Sequence, residues 1–164
     1  MKSKRIAYIG LLIALAFVFS YIEFLLPISL GIPGVKLGLA NLVILVCFYQ
    51  IGEKEAGILS LIRVLLVGFT FANMAMMLYS LAGAILSFLA MYLAKRTNRL
   101  SITGVSVLGA VFHNIGQILM AMLLLRSSAI ISYLPVLMVT GVVAGIVIGL
   151  VGAALVRRLG KRTI

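Results

Sequence analysis

A lysine and an asparagine stand five residues apart where an apolar run begins, in Pro33-Gly34-Val35-Lys36-Leu37-Gly38-Leu39-Ala40-Asn41-Leu42. An ionisable group at the lip of a hydrocarbon span, and an amide about one helical turn inside it, are costly unless each meets a partner. Both are therefore candidate ligand contacts. The plainer alternative is that Lys36 snorkels to the headgroups and Asn41 bonds two helices together. A second polar group falls in His113-Asn114-Ile115-Gly116-Gln117, where spacings of three and four put His113, Asn114 and Gln117 on adjoining parts of one helical face. Counted at ~1.5 Å per residue from Thr103, His113 lies roughly 15 Å deep in a core ~30 Å thick, with Gln117 farther outward. Such a cluster either lines a cavity or bonds helices to one another, and three groups together favour the cavity.

Two further charges sit where hydrocarbon is expected. Arg63 lies roughly 10 Å into its apolar segment, so its guanidinium must face protein or water or snorkel back toward the headgroups. Glu23 falls near the end of the first apolar run, across a connection from Lys36, and the two could close a salt-bridged rim. Small residues supply a different signal. Gly10 and Ala14 make a small-xxx-small step that lets another helix approach the backbone closely, and Gly141, Gly145 and Gly149 repeat the spacing near the C-terminus, where they are expected to seat one helix on its neighbours.

The elements that must position these groups follow from composition. Of 164 residues, 64% are apolar and 10% charged, too few to solvate the surface of a water-soluble domain. The chain is read as one domain, residues 1–164, an all-α integral membrane bundle of six transmembrane helices. The spans are Ile6 to Leu26, Leu37 to Ile51, Ala56 to Ala72, Met74 to Ala94, Ile102 to Leu125, and a sixth from near Pro135 to near Val156, tolerated because proline fits a first helical turn. The second is short for a full crossing. Met1-Lys2-Ser3-Lys4-Arg5 and Ala14-Leu15-Ala16 imitate a signal peptide, but the cleavage-like box comes too early in a run that continues to Leu26, so an uncleaved first span is expected.

Charge fixes the expected orientation. Eleven bases fall at the N-terminus, the two-three and four-five connections and the C-terminus, whereas the other connections hold only Lys36 and Arg126. Lys and Arg in short loops stay cytoplasmic, so both termini are expected inside the cell membrane. The net charge of +11 is spread over these span ends as anchors for membrane lipid, which argues against nucleic-acid binding. Lys36 and Arg126, as bases on the outer side, point to an anionic or electron-rich ligand. Cys47, the single cysteine, is expected as a small buried hydrophobe.

Absences narrow the chemistry. The sequence has no aspartate, and its three carboxylates are Glu23, Glu53 and Glu55, so the paired acids that hold magnesium for diphosphate chemistry are missing. Gly31-Ile32-Pro33-Gly34-Val35-Lys36 has the wrong spacing for a phosphate loop and lacks the following Ser or Thr, so no ATPase is visible. No catalytic residue, metal site or cofactor is expected, and energy for transport must come from a partner or a gradient.

The segment Pro33 to Asn41, with Leu61-Ile62-Arg63-Val64-Leu65, Gly104 to Gln117, and Tyr133-Leu134-Pro135, resembles the Gx transporter family over nearly the whole chain. That family is often labelled heptaprenyl diphosphate synthase component I and is distantly similar to the substrate-binding S components of energy-coupling factor vitamin transporters. The resemblance implies a six-helix protein that captures a small molecule and works with an energy-coupling membrane protein and ATPases. It also implies that small residues of the first helix, here Gly10 and Ala14, dock that module, with glycine standing where the family pattern has its first alanine.

The expected function is therefore a membrane substrate-binding subunit of an uptake transporter. Glu23, Lys36, Asn41, Arg63, His113, Asn114 and Gln117 would line an outward-opening pocket with His113 as its floor. A non-catalytic membrane partner in isoprenoid or quinone metabolism is the alternative, and a wholly apolar groove would favour it.

Overall fold

The computed structural model describes residues 2–25 and 38–159. Its α-helices are α1 (Lys2–Leu25), α2 (Leu39–Gln50), α3 (Glu53–Thr70), α4 (Met74–Arg96), α5 (Ile102–Leu125) and α6 (Leu134–Leu159), with a 3-10 helix over Ser128–Tyr133 leading into α6 and no strand among the described residues. The sequence reading began the last helix near Pro135 and did not include this 3-10 helix. Local chemistry sets the other boundaries. The Asn73 side chain accepts a hydrogen bond from Met76 N at 2.8 Å and Ser101 Oγ accepts from Gly104 N at 3.1 Å, so each caps the helix that follows.

Four segments are long and apolar enough to cross a membrane: Arg5–Leu25, Met74–Arg96, Ile102–Leu125 and Ser128–Leu159. The other two of the six expected spans, α2 and α3, fall short of that length or apolarity. The 12 residues of α2 reach only ~18 Å against a core of ~30 Å, and the 18 residues of α3 include Glu53, Lys54, Glu55 and Arg63. The outside of the bundle suits lipid, with Phe69, Leu123 and Val139 exposed by 75, 71 and 65%. Inside, Leu45, Cys47, Phe48, Leu59 and Val105 are fully buried, as expected for Cys47.

α5 lies between α4 and α6 and packs on both. Glycines make these approaches possible. A Cβ on Gly116 would stand 2.6 Å from the Ala82 carbonyl oxygen and 2.8 Å from Gly83 Cα of α4. On the other side, a Cβ on Gly145 would stand 2.6 Å from Val107 Cα, and one on Gly149 2.7 Å from Thr103 Cα. The glycine series of α6 thus seats it against α5, as its four-residue spacing suggested. α1 is tied to the end of α3 by Phe17, Tyr21 and Phe24, whose rings lie 5.1 to 5.5 Å from that of Phe71.

The basic ends meet at one end of the bundle. Arg5 pairs with Glu55, and Lys95 pairs with Glu53 at 3.1 Å while donating to the Phe48 carbonyl at 3.1 Å. The Tyr8 hydroxyl donates to Gln50 Oε1 at 3.2 Å. The start of α1, the α2–α3 connection and the end of α4 therefore share one end, the arrangement the base distribution requires.

Candidate functional site

All six α-helices contribute polar, small and apolar side chains to a cavity of about 310 Å³. That volume sits at the low end of small-molecule sites, ~300–1,000 Å³. Of the residues singled out in the sequence, Glu23, Asn41, Arg63, His113, Asn114 and Gln117 all line it. Lys36 lies outside the described residues, and with it the proposed Glu23–Lys36 rim. Arg126 is exposed, ends α5 in a left-handed conformation with φ 48°, and does not line the cavity.

Glu23 has a structural partner that the sequence did not reveal. Its Oε1 accepts from Gly38 N at 2.5 Å and from Leu39 N at 2.8 Å, the first amides of α2. Gly38 is the N-cap, with φ 82°, a left-handed conformation that favours glycine. A helix that starts inside a bundle leaves amides without acceptors, and a carboxylate from α1 satisfies two of them and complements the positive end of the helix dipole. Glu23 is thus both a wall of the cavity and the cap of α2.

Arg63 reaches the cavity from the middle of α3. Its Nε is buried with no hydrogen-bond partner, and no ion pair or side-chain hydrogen bond engages the guanidinium among the described residues. Of the two sequence alternatives, facing protein and snorkelling away, the first is the one observed. Asn41 and Gln117 likewise make no side-chain hydrogen bond among the described residues, which leaves their amides available to an occupant.

The polar stripe of α5 divides its work. Asn114 Nδ2 donates to the Leu137 carbonyl of α6 at 2.6 Å, so this residue is helix glue that keeps its carbonyl oxygen for other contacts. The same Leu137 oxygen accepts from Thr140 Oγ1 at 3.1 Å. The His113 ring lies against Gly83, where a Cβ would stand 3.0 Å from both Nδ1 and Cε1. His113 is not the floor. The cavity continues past it to Ser106 and Ile148, seven residues lower on α5 or roughly 10 Å, because the small residues Gly109 and Ala110 leave the space open.

The hydroxyls Ser60, Ser80, Ser87, Ser106 and Thr140 also line the cavity and were missed. Their signal was present: Ser60 precedes Arg63 by one helical turn, and Ser106, Gly109, Ala110, His113, Asn114 and Gln117 recur at spacings of three and four on α5. A lone serine in an apolar helix can bond its own backbone, so type alone does not assign it. Ser20 does this, donating to the Ala16 carbonyl at 2.9 Å. Far from the cavity, Gly10 and Ala14 are exposed on α1, and a Cβ on Gly10 would meet nothing within 4 Å.

Fold and cavity together define a helical membrane protein with an internal site that carries polar groups and is lined by all six α-helices. The chain belongs to the heptaprenyl diphosphate synthase component I family, whose model matches residues 12–155. That is the label carried by the family the sequence resembled. No curated protein and no solved structure matches the chain.

Proposed function

We propose that this protein is the membrane-embedded substrate-binding subunit of a small-molecule uptake system, S-component-like, with no catalytic activity of its own and energised by a separate ATP-driven coupling module. One observation carries the reading: Asn41, Arg63 and Gln117, from three different helices, converge on a single cavity of about 310 Å³. Polar groups that only bonded helices together would be dispersed and individually paired, whereas one occupant satisfies these at once. In this reading α2 and α3 complete a six-helix membrane domain, the shared basic end is cytoplasmic, and the cavity serves the opposite face. Single-cysteine variants on a Cys47→Ala background test the topology: Lys2→Cys and Arg158→Cys should label only from the cytoplasm and Arg126→Cys only from outside. Labelling of Lys2→Cys from outside reverses the orientation.

The exposed Gly10 and Ala14 face is the docking surface for the coupling module, since it admits close approach of a partner helix. Replacing both with leucine should abolish co-purification of an ATPase, identified by its peptides, while small molecules extracted from the purified protein remain as in wild type. Retention of the ATPase by the double variant rejects the docking surface. Absence of any bound small molecule from wild type rejects the binding subunit.

The family name favours a second reading, a non-catalytic membrane partner of heptaprenyl diphosphate synthesis. Asn41, Arg63 and Gln117 on the lining weigh against it, since a prenyl tail calls for a wholly apolar groove. Extraction of a prenyl compound from the purified protein would decide for it.

A further inference from the structure

We infer that the occupant of this cavity carries an anionic group, a carboxylate or a phosphate, that pairs with Arg63; the inference rests on the binding-subunit reading above. The argument is one of charge. The chain has three acidic side chains in all. Glu53 is paired with Lys95, Glu55 with Arg5, and Glu23 gives its Oε1 to the first amides of α2. Glu23 alone acts on Arg63 electrostatically and forms no ion pair with it, and the Arg63 Nε is buried without a hydrogen-bond partner among the described residues. A guanidinium in a membrane bundle cannot lose its proton, and it is held at depth only where an anion or several acceptors meet it. Glu23, the one acid that Arg63 senses, is held by the first amides of α2 and does not touch the guanidinium, so the anion in direct contact is left to the occupant.

The surroundings fit this assignment. Arg63 offers a planar fork of donors that matches a carboxylate or phosphate edge. Asn41 and Gln117 line the same cavity with amides that no described residue uses, and Ser60 adds a hydroxyl one turn from Arg63. Glu23 also lines the cavity, so a second anion on the occupant would face repulsion. A single anionic head with a less polar body, resting on Phe71, Phe88 and Met76, is the arrangement the walls accept. The same head could belong to a soluble molecule or to a lipid headgroup.

The test uses the full chain in nanodiscs of neutral phosphatidylcholine, as wild type, Arg63→Gln, Arg63→Lys and Arg126→Gln. Thermal unfolding is read with inorganic phosphate, with benzoate and with its uncharged counterpart benzamide, and small molecules extracted from each protein are identified by mass spectrometry. The expected result is that phosphate or benzoate, and not benzamide, stabilises wild type and Arg126→Gln, and that Arg63→Gln weakens the anion roughly 10- to 100-fold. Arg63→Lys keeps the charge and should fall between, which preserves the test if Arg63→Gln fails to fold. If neither soluble anion acts but phosphatidylglycerol in the nanodisc stabilises wild type and not Arg63→Gln, the anion is a lipid headgroup; the pairing stands and the uptake reading fails. Equal effects of benzoate and benzamide, an anion bound equally by Arg63→Gln, or no anion effect of any source overturns the inference. A neutral molecule extracted from wild type in that last case leaves the binding subunit standing without it.

Discussion

Gly145→Leu is expected to unseat α6 from α5 and to cost about 3 kcal/mol or more, and Gly116→Leu to do the same between α4 and α5. At both positions the obstacle is backbone: a Cβ on Gly145 would stand 2.6 Å from Val107 Cα, and one on Gly116 2.6 Å from the Ala82 carbonyl oxygen. Backbone cannot turn aside as a side chain can, so whole helices must separate, and dispersion contacts along both interfaces are lost. Gly68 is intermediate. A Cβ there would meet Met77, whose Sδ can swing aside but whose Cβ, 2.8 Å away, moves only with α4, so Gly68→Ala should cost about 1–3 kcal/mol. Gly10→Leu meets open space and should stay within about 0.5 kcal/mol. Unfolding by SDS titration, followed by helical circular dichroism, measures all four. Equal losses at Gly145 and Gly10 would show that the close crossing does not hold the bundle together. Because α5 also carries His113, Asn114 and Gln117, loss of either crossing should abolish occupancy of the cavity as well.

Glu23→Ala is expected to destabilise the protein by roughly 2–4 kcal/mol, while Glu23→Gln costs only about 1 kcal/mol. The alanine variant leaves Gly38 N and Leu39 N without their acceptor, in a setting where water does not freely replace it. Glutamine keeps a carbonyl oxygen at the same place and loses only the charge that complements the start of α2. Hydrogen exchange at these two amides should accelerate strongly in Glu23→Ala and weakly in Glu23→Gln. If both variants behave alike in stability and exchange, the cap is not what Glu23 contributes. The comparison also bears on the cavity, because α2 carries Asn41 and loses its fixed starting point when the cap is removed.

Several features of this protein were decided by sequence alone. Apolar composition and run length dictate an all-helical chain in a membrane, and the ends of α5 fall at Ile102 and Leu125 as read from the sequence, because Ser101 caps one end and the apolar run stops at the other. The gathering of bases at one end was also legible, since charge must stay out of hydrocarbon. Periodicity marked His113, Asn114 and Gln117 as one face, and the cost of burying a guanidinium marked Arg63.

Tertiary structure decided how these groups are shared out. Nothing in the sequence assigns Glu23 to the amides of Gly38 and Leu39, because only the approach of α1 to the start of α2 brings them within reach. Asn114 became a helix bond while Gln117, one turn away, did not, since only Asn114 comes within reach of the Leu137 carbonyl. The serines joined the cavity through the positions of neighbouring helices, a matter that residue type leaves open. The depth of the cavity below His113 follows from Gly109 and Ala110, whose small side chains leave space only once α4 and α6 are in place. Period and polarity are local and are written along the chain, whereas the partner of a charge and the emptiness of a space depend on which helices meet.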